Sequence, residues 1–251
     1  MLVHYNLHMR KQFAVFDIDG TIARNALLQL MVRELVARGK LDVGPGREIE
    51  IMLHDYRQRI ADDNFGSYMK KAVEVLFKAL PDGLRSDDFD EVINAVVNTS
   101  LSNTYVYTRE LIQTLRKNGF FLIAISGSEL HAVEALSKKL GFDAWVGQVA
   151  YEQVDGRLTG KINALGKPKS EILESLVTKF DLNRKGSMAI GDTSSDISVF
   201  EMVDNPIAFN PNQALFKVAR EKGWMIVIER KDMVYGMEKV GDQYVLKQTN
   251  V

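Results

Sequence analysis

Six consecutive apolar residues, Phe120-Phe121-Leu122-Ile123-Ala124-Ile125, constrain this chain more than any other stretch. A strand with one face in water alternates apolar and polar residues, so an unbroken run reads as a strand buried on both faces. Such strands belong to parallel sheets covered by helices on each side. Shorter runs of the same kind recur at Phe13 to Phe16, Ser187 to Ile190, Ile207 to Phe209 and Met225 to Ile228. Helical spacing of apolar residues fills the intervals, at Arg109 to Lys117, from Leu130 to Leu140, at Lys169 to Phe180 and through Leu215 and Val218. Val149 to Gly160 reads as a hairpin turning at Asp155-Gly156. The expected fold class is α/β, with a doubly wound, mostly parallel sheet of Rossmann type.

One interval breaks the alternation. Between the first strand and Tyr105 lie four helical patterns, Asn25 to Arg38, Glu48 to Asp62, Phe65 to Leu80 and Asp87 to Leu101. Gly44-Pro45-Gly46 reads as a break between the first two. The expectation is a helical bundle, residues 25–103, inserted into a core made of residues 1–24 and 104–251. The chain has 251 residues, 46% of them apolar, enough for a core and a second small unit.

A net charge of −1 leaves no basic excess for phosphate backbones, so nucleic acid is not an expected partner. The absence of cysteine excludes disulfides, zinc–thiolate sites and cysteine nucleophiles, and fits a cytoplasmic setting. No apolar run approaches the roughly 20 residues of a membrane span, so no membrane partner is expected either. Met1 to Lys11 lacks a secretory apolar region, and Met9 is an alternative start. Oligomeric state is not readable.

Three of the strands end in polar groups: Asp17 and Asp19 before Gly20-Thr21, then Ser126-Gly127, then Asp192 with Asp196. In a parallel sheet these carboxyl ends share one edge, where open α/β sheets bind ligands. Grouped carboxylates are costly without a cation, and a set of hard oxygens suits Mg²⁺. Lys167 and Lys169 flank Pro168 at a helix start, a position suited to anions. Bland readings stand beside these: Asx turns for the aspartates, and helix caps for Ser126 and Asp196. Arg24 and Asn25 are either solvated or turned to substrate, and the four histidines show no ligand spacing. No Gly-x-x-x-x-Gly-Lys-Ser/Thr motif occurs, which excludes a P-loop enzyme.

Asp17-Ile18-Asp19-Gly20-Thr21, Ser126-Gly127, Lys169 and Gly191-Asp192 with Asp196 stand in the order of the four haloacid dehalogenase superfamily motifs, which this chain resembles. The helical insertion after the first motif, Lys169-Ser170-Glu171-Ile172-Leu173 and Asn205 to Pro211 are similar to the phosphoserine phosphatase-like branch. The resemblance implies hydrolysis of a small phosphorylated substrate. Asp17 would be the nucleophile forming an aspartyl-phosphate, and Asp19 the general acid and base. Asp17, the Asp19 carbonyl and Asp192 would hold Mg²⁺, while Ser126, Gly127 and Lys169 would bind the phosphoryl oxygens. Asp196 would orient the metal shell or Lys169, and Thr21 would brace the loop. A phosphotransferase or a phosphorylation-dependent signalling or binding protein is the alternative on the same fold.

Two positions depart from the branch. Ala26, followed by Leu27 and Leu28, stands where a glutamate would hold the ammonium group of phosphoserine, which disfavours that substrate. Ser195 precedes Asp196 where asparagine is usual.

Overall fold

The computed structural model describes residues 10–58, 73–74 and 83–248. Phe13 to Phe16 lie at the centre of the sheet. Their strand, β1 (Gln12–Phe16), is flanked by β2 (Phe121–Glu129) and β5 (Asn183–Gly191), parallel to both. β3 (Ala144–Val154) extends the sheet beyond β2, and β6 (Asn205–Phe209) and β7 (Met225–Arg230) extend it beyond β5, all parallel. Antiparallel strands finish the edges: β4 (Arg157–Ala164) on one side, β8 (Met233–Val240) and β9 (Gln243–Gln248) on the other. The full order is β4-β3-β2-β1-β5-β6-β7-β8-β9. The chain runs outward from β1 to β4 and then restarts beside β1 with β5. That reversal opens a crevice at the carboxyl ends of β1 and β5, which are the ends that carry Asp17 and Asp192.

The helices are α1 (Leu27–Ala37), α2 (Val43–Gln58) and α3 (Ser86–Ser102) between β1 and β2, with α4 (Val106–Lys117) leading into β2. Then come α5 (Leu130–Leu140), α6 (Lys169–Lys179), a 3-10 turn at Ser194–Asp196 running into the short α7 (Ile197–Phe200), and α8 (Gln213–Lys222). Because side chains alternate along a strand, β1 feeds two cores. Phe13 and Val15 join Ile123, Ile125, Leu173 and Leu215 on one face, whereas Ala14 and Phe16 join Leu122, Val133 and Phe209 on the other. Each fully buried phenylalanine contributes about 2–3 kcal/mol of transfer free energy. The second of these clusters continues through Leu27, Met31 and Leu35 of α1 into Phe89, Val92 and Val96 of α3. The inserted helices thus share one apolar cluster with a face of the sheet.

The chain enters and leaves the insertion through a paired neck. Ala23 and Thr104 form an antiparallel bridge, Arg24 N donates to Asn103 O at 3.2 Å, and Tyr105 N donates to Ile22 O at 3.0 Å.

Several boundaries differ from expectation. β1 ends at Phe16 rather than near Asp19, because the chain turns away after one more bond to β5. Gly44-Pro45-Gly46 does not break the chain: α2 begins at Val43, and Pro45 falls in a first turn whose N–H groups have no intrahelical acceptor. The β8–β9 hairpin was not anticipated. Its residues are largely exposed, so it lacks the apolar run that marks the central strands. The hairpin at Asp155-Gly156 forms with both residues at positive φ (50° and 72°), as a two-residue turn of that type requires. The helix expected at Phe65 to Leu80, and the end of the one expected to reach Asp62, lie outside the described residues apart from 73–74. Among the described residues no helix is long and apolar enough to cross a membrane.

Candidate active site

The loop after β1 is built around two close approaches. Asp17 N donates to Ile190 O of β5 at 2.9 Å, and the amides of Thr21, Ile22 and Ala23 then converge on Ile18 O. Gly20 sits at φ +83°, and a Cβ there would lie 2.2 Å from Asp192 Oδ2. A Cβ on Gly191 would meet Asp196 Cγ at 2.4 Å. Both glycines therefore clear space for carboxylates. Gly20→Ala combines a left-handed backbone, costing about 1–2 kcal/mol, with displacement of Asp192. We expect the catalytic rate of that variant to fall at least about tenfold, measured by steady-state turnover beside a thermal melt. Unchanged kinetics would show that the contact with Asp192 does not matter.

Lys169 opens α6 directly after Pro168, which occupies the N-cap. Its Nζ donates to Asp17 Oδ1 at 2.5 Å and to Asp196 Oδ1 at 2.7 Å, and all three residues are buried. Asp196 uses its other oxygen to accept Thr193 N at 3.1 Å, so it both caps the 3-10 turn and holds the lysine. One oxygen from each of Asp17, Asp192 and Asp196 lies within 4.8 Å of the others. Burial, reinforced by Asp196 and Asp19, pushes the Asp17 carboxyl up to about 7 in spite of Lys169. Asp192 is raised well above the usual range by burial and by Asp17 and Asp196. Burial works against the charge of Lys169, but Asp17 and Asp196 outweigh it and keep the ammonium protonated. One ammonium pairs with two of these three carboxylates, which leaves a donor set short of positive charge and suited to a hard divalent cation.

Asp19 faces a different environment two residues on. Its Oδ1 accepts Leu27 N at 2.7 Å, the second amide past Asn25 where the chain enters α1. Its Oδ2 accepts the hydroxyls of Ser126, at 3.2 Å, and Ser128. Burial raises its pKa, and the three donors pull against that rise. Ser128 was missed from the sequence, although it follows Ser126 by two residues on a strand, the spacing that returns a side chain to one face.

Thr21 Oγ1 donates to Asp192 Oδ1 at 3.3 Å, and Thr108 Oγ1 holds the Thr21 carbonyl at 2.9 Å. Ser195 pairs with Thr193 at 2.8 Å. A cleft of about 450 Å³ opens over Asp17, Asp19, Gly127 and Lys169, with Gln148, Lys167, Ser194 and Ser198 along its sides. Lys169 reaches the carboxylates, whereas Lys167 is exposed. Arg24 is tied up elsewhere: its guanidinium pairs with the buried Glu229 and lies 4.3 Å over the Tyr105 ring. Glu229, at the carboxyl end of β7, also accepts Val106 N at 3.2 Å and Tyr107 N at 2.9 Å, the first amides of α4. It thereby fastens both strands of the neck to the sheet. Its place at the end of a buried parallel strand was a signal that could have found it. His131 pairs with Glu129, which caps α5, and stands apart from the carboxylate cluster.

A family model described as haloacid dehalogenase-like hydrolase matches residues 14–201. The chain is 26% identical over 231 residues to a phosphoserine phosphatase of Methanocaldococcus jannaschii, a match covering 90% of this chain and 96% of that protein. A phosphoserine phosphatase of Wolinella succinogenes is 25% identical over 225 residues, 88% of this chain and 96% of that one. Among solved structures, a phospho-aspartyl intermediate analogue of phosphoserine phosphatase superposes with a TM-score of 0.60 at 25% identity, covering 89% of this chain and 95% of the other.

Proposed function

The chain belongs to the haloacid dehalogenase-like hydrolase family, and from that premise we propose that it is a Mg²⁺-dependent phosphomonoesterase acting on a small phosphorylated metabolite. The observation that carries this reading is the contrast between two buried carboxylates two residues apart. Asp17 sits against Lys169 and the other aspartates, whereas Asp19 is held by an amide and two hydroxyls. Pairs of acids in unlike environments are how one site supplies both a nucleophile and a proton carrier.

Asp17 attacks phosphorus through a carboxylate oxygen. The ester P–O bond breaks as Asp19 passes a proton to the departing oxygen, leaving an acyl phosphate on Asp17. In the second half a water oxygen attacks phosphorus and Asp19 takes its proton. The P–O bond to Asp17 then breaks, releasing inorganic phosphate and restoring the carboxylate. Lys169, Ser126 and the Gly127 amide hold the non-bridging oxygens, and Asp196 keeps Lys169 in place. Asp17, Asp192 and the Asp19 carbonyl would hold the cation, with Asp196 already committed to Lys169 and Thr193. When bound, Mg²⁺ supplies the charge neutralisation that lets a carboxylate approach a phosphate dianion.

The relatives named phosphoserine phosphatase support the reaction, and the intermediate-analogue structure supports the covalent route. Phosphoserine itself is disfavoured, because Leu27 and Leu28 are packed into the core and Ala26 brings no carboxylate for an ammonium group. Residues 25–103 act as a cap over a core of 1–24 and 104–251. The test is phosphate release from p-nitrophenyl phosphate, expected to stop on chelation of divalent cations and to return with Mg²⁺. Release that ignores a chelator would exclude the metal-dependent mechanism.

A further inference from the structure

Asp19 carries two duties in the proposed reaction, and both need its carboxylate to keep one orientation. Three donors fix it: the Leu27 amide on Oδ1, and the Ser126 and Ser128 hydroxyls on Oδ2. The two serines are not equivalent. Ser126 Oγ also accepts Ser128 N at 3.0 Å, and it lies beside Gly127, which lines the cleft. In the proposed reaction a phosphoryl group bound at Gly127 would compete with Asp19 for the Ser126 hydroxyl. Both serines are buried, but the Ser128 hydroxyl has no such second claim and is turned to Asp19. The strand makes this possible. β2 continues through Glu129, so Ser126 and Ser128 point inward while Gly127 between them is exposed.

We propose that Ser128 is a positioning residue for this reaction, holding the Asp19 carboxylate in orientation when Ser126 is drawn to the phosphoryl group. The inference rests on the assignment of Asp19 as the proton carrier and extends it to a residue whose hydroxyl does not touch phosphate. Its consequence is selective. A misdirected Asp19 harms the departure of an alkoxide, which needs a proton, far more than the departure of nitrophenolate, which is stable as an anion.

The test compares kcat/KM for β-glycerol phosphate and p-nitrophenyl phosphate in Ser128→Ala, because kcat/KM reports only the steps through loss of the leaving group. Part of the usual general-acid contribution is forfeited, so the alkyl ester should lose roughly tenfold or more and the aryl ester less than about threefold. Ser128→Thr, which keeps the hydroxyl, should return the ratio of the two to the wild-type value. Taking the ratio within one preparation cancels any loss of folded enzyme. Equal losses on both esters, or none on either, overturn the role of Ser128 while leaving the phosphatase reading intact. A wild-type protein that cleaves neither ester overturns the reading and this inference with it.

Discussion

Asp17→Asn is expected to reduce turnover by at least about 10⁴-fold while leaving the protein folded, because the carboxamide cannot form the acyl phosphate. The activity loss follows from the proposed role of Asp17 as nucleophile: no other described carboxylate occupies the end of β1 with Lys169 on its oxygen. Retention of the fold follows from electrostatics. The Asp17 carboxyl is already pushed up to about 7 by burial among other aspartates, so a neutral side chain of the same shape relieves repulsion there. Lys169 loses one partner and keeps Asp196. The two effects oppose each other, and the net change in stability should stay within about 1 kcal/mol. Single-turnover phosphate release with enzyme in excess, beside a thermal melt, separates the two. Wild-type protein quenched during turnover should carry one phosphoryl group on Asp17 by mass spectrometry, and the variant none. Activity persisting in a folded Asp17→Asn protein would remove Asp17 as the nucleophile.

The parts of this molecule legible in the sequence are those governed by local rules. Phe120 to Ile125 and Phe13 to Phe16 announce doubly buried strands, and polar groups at the ends of such strands draw attention to Asp17, Ser126 and Asp192. Less legible is anything set by approach across the fold. Gly20 looks like a turn residue from sequence, whereas its spatial reason is the Asp192 carboxylate lying 172 positions away in the chain, beyond any local pattern. The same holds for Glu229, whose partners Arg24, Val106 and Tyr107 come from both strands of the neck. Asp19 illustrates a subtler limit. The sequence groups it with Asp17 at the end of one strand, but β1 ends at Phe16 and the loop sends Asp19 to the serines of β2. The β8–β9 hairpin escapes notice for a third reason. It is an exposed extension whose pairing depends on β7 being present to receive it.

Lys169→Met tests the electrostatic centre of the site most directly, and both its activity and its stability should fall. Removing the ammonium leaves Asp17 and Asp196 buried without a counter-charge, a class of change that costs about 3 kcal/mol or more. In the proposed reaction it also takes a cation from the phosphoryl oxygens, so kcat/KM should drop by a factor on the order of 10² to 10³. The stability loss carries a pH signature of known sign. Without Lys169, the group that lowers Asp17 by charge and by hydrogen bonding is gone, so its folded-state pKa rises further above the unfolded value of 3.8. Between those two values the folded state binds more protons than the unfolded one, and stability falls as pH rises. Wild type shares that fall up to about pH 7, where its own Asp17 titrates, so the gap in melting temperature between wild type and variant should stay small near about pH 5 and widen above about pH 7. Mg²⁺ should narrow it at the higher pH, because a cation among Asp17 and Asp192 restores the missing charge and stabilises the folded state by mass action. A gap that stays constant across that range would mean that Lys169 supports the fold through packing rather than charge, and the proposed pairing of lysine, carboxylates and cation would not stand.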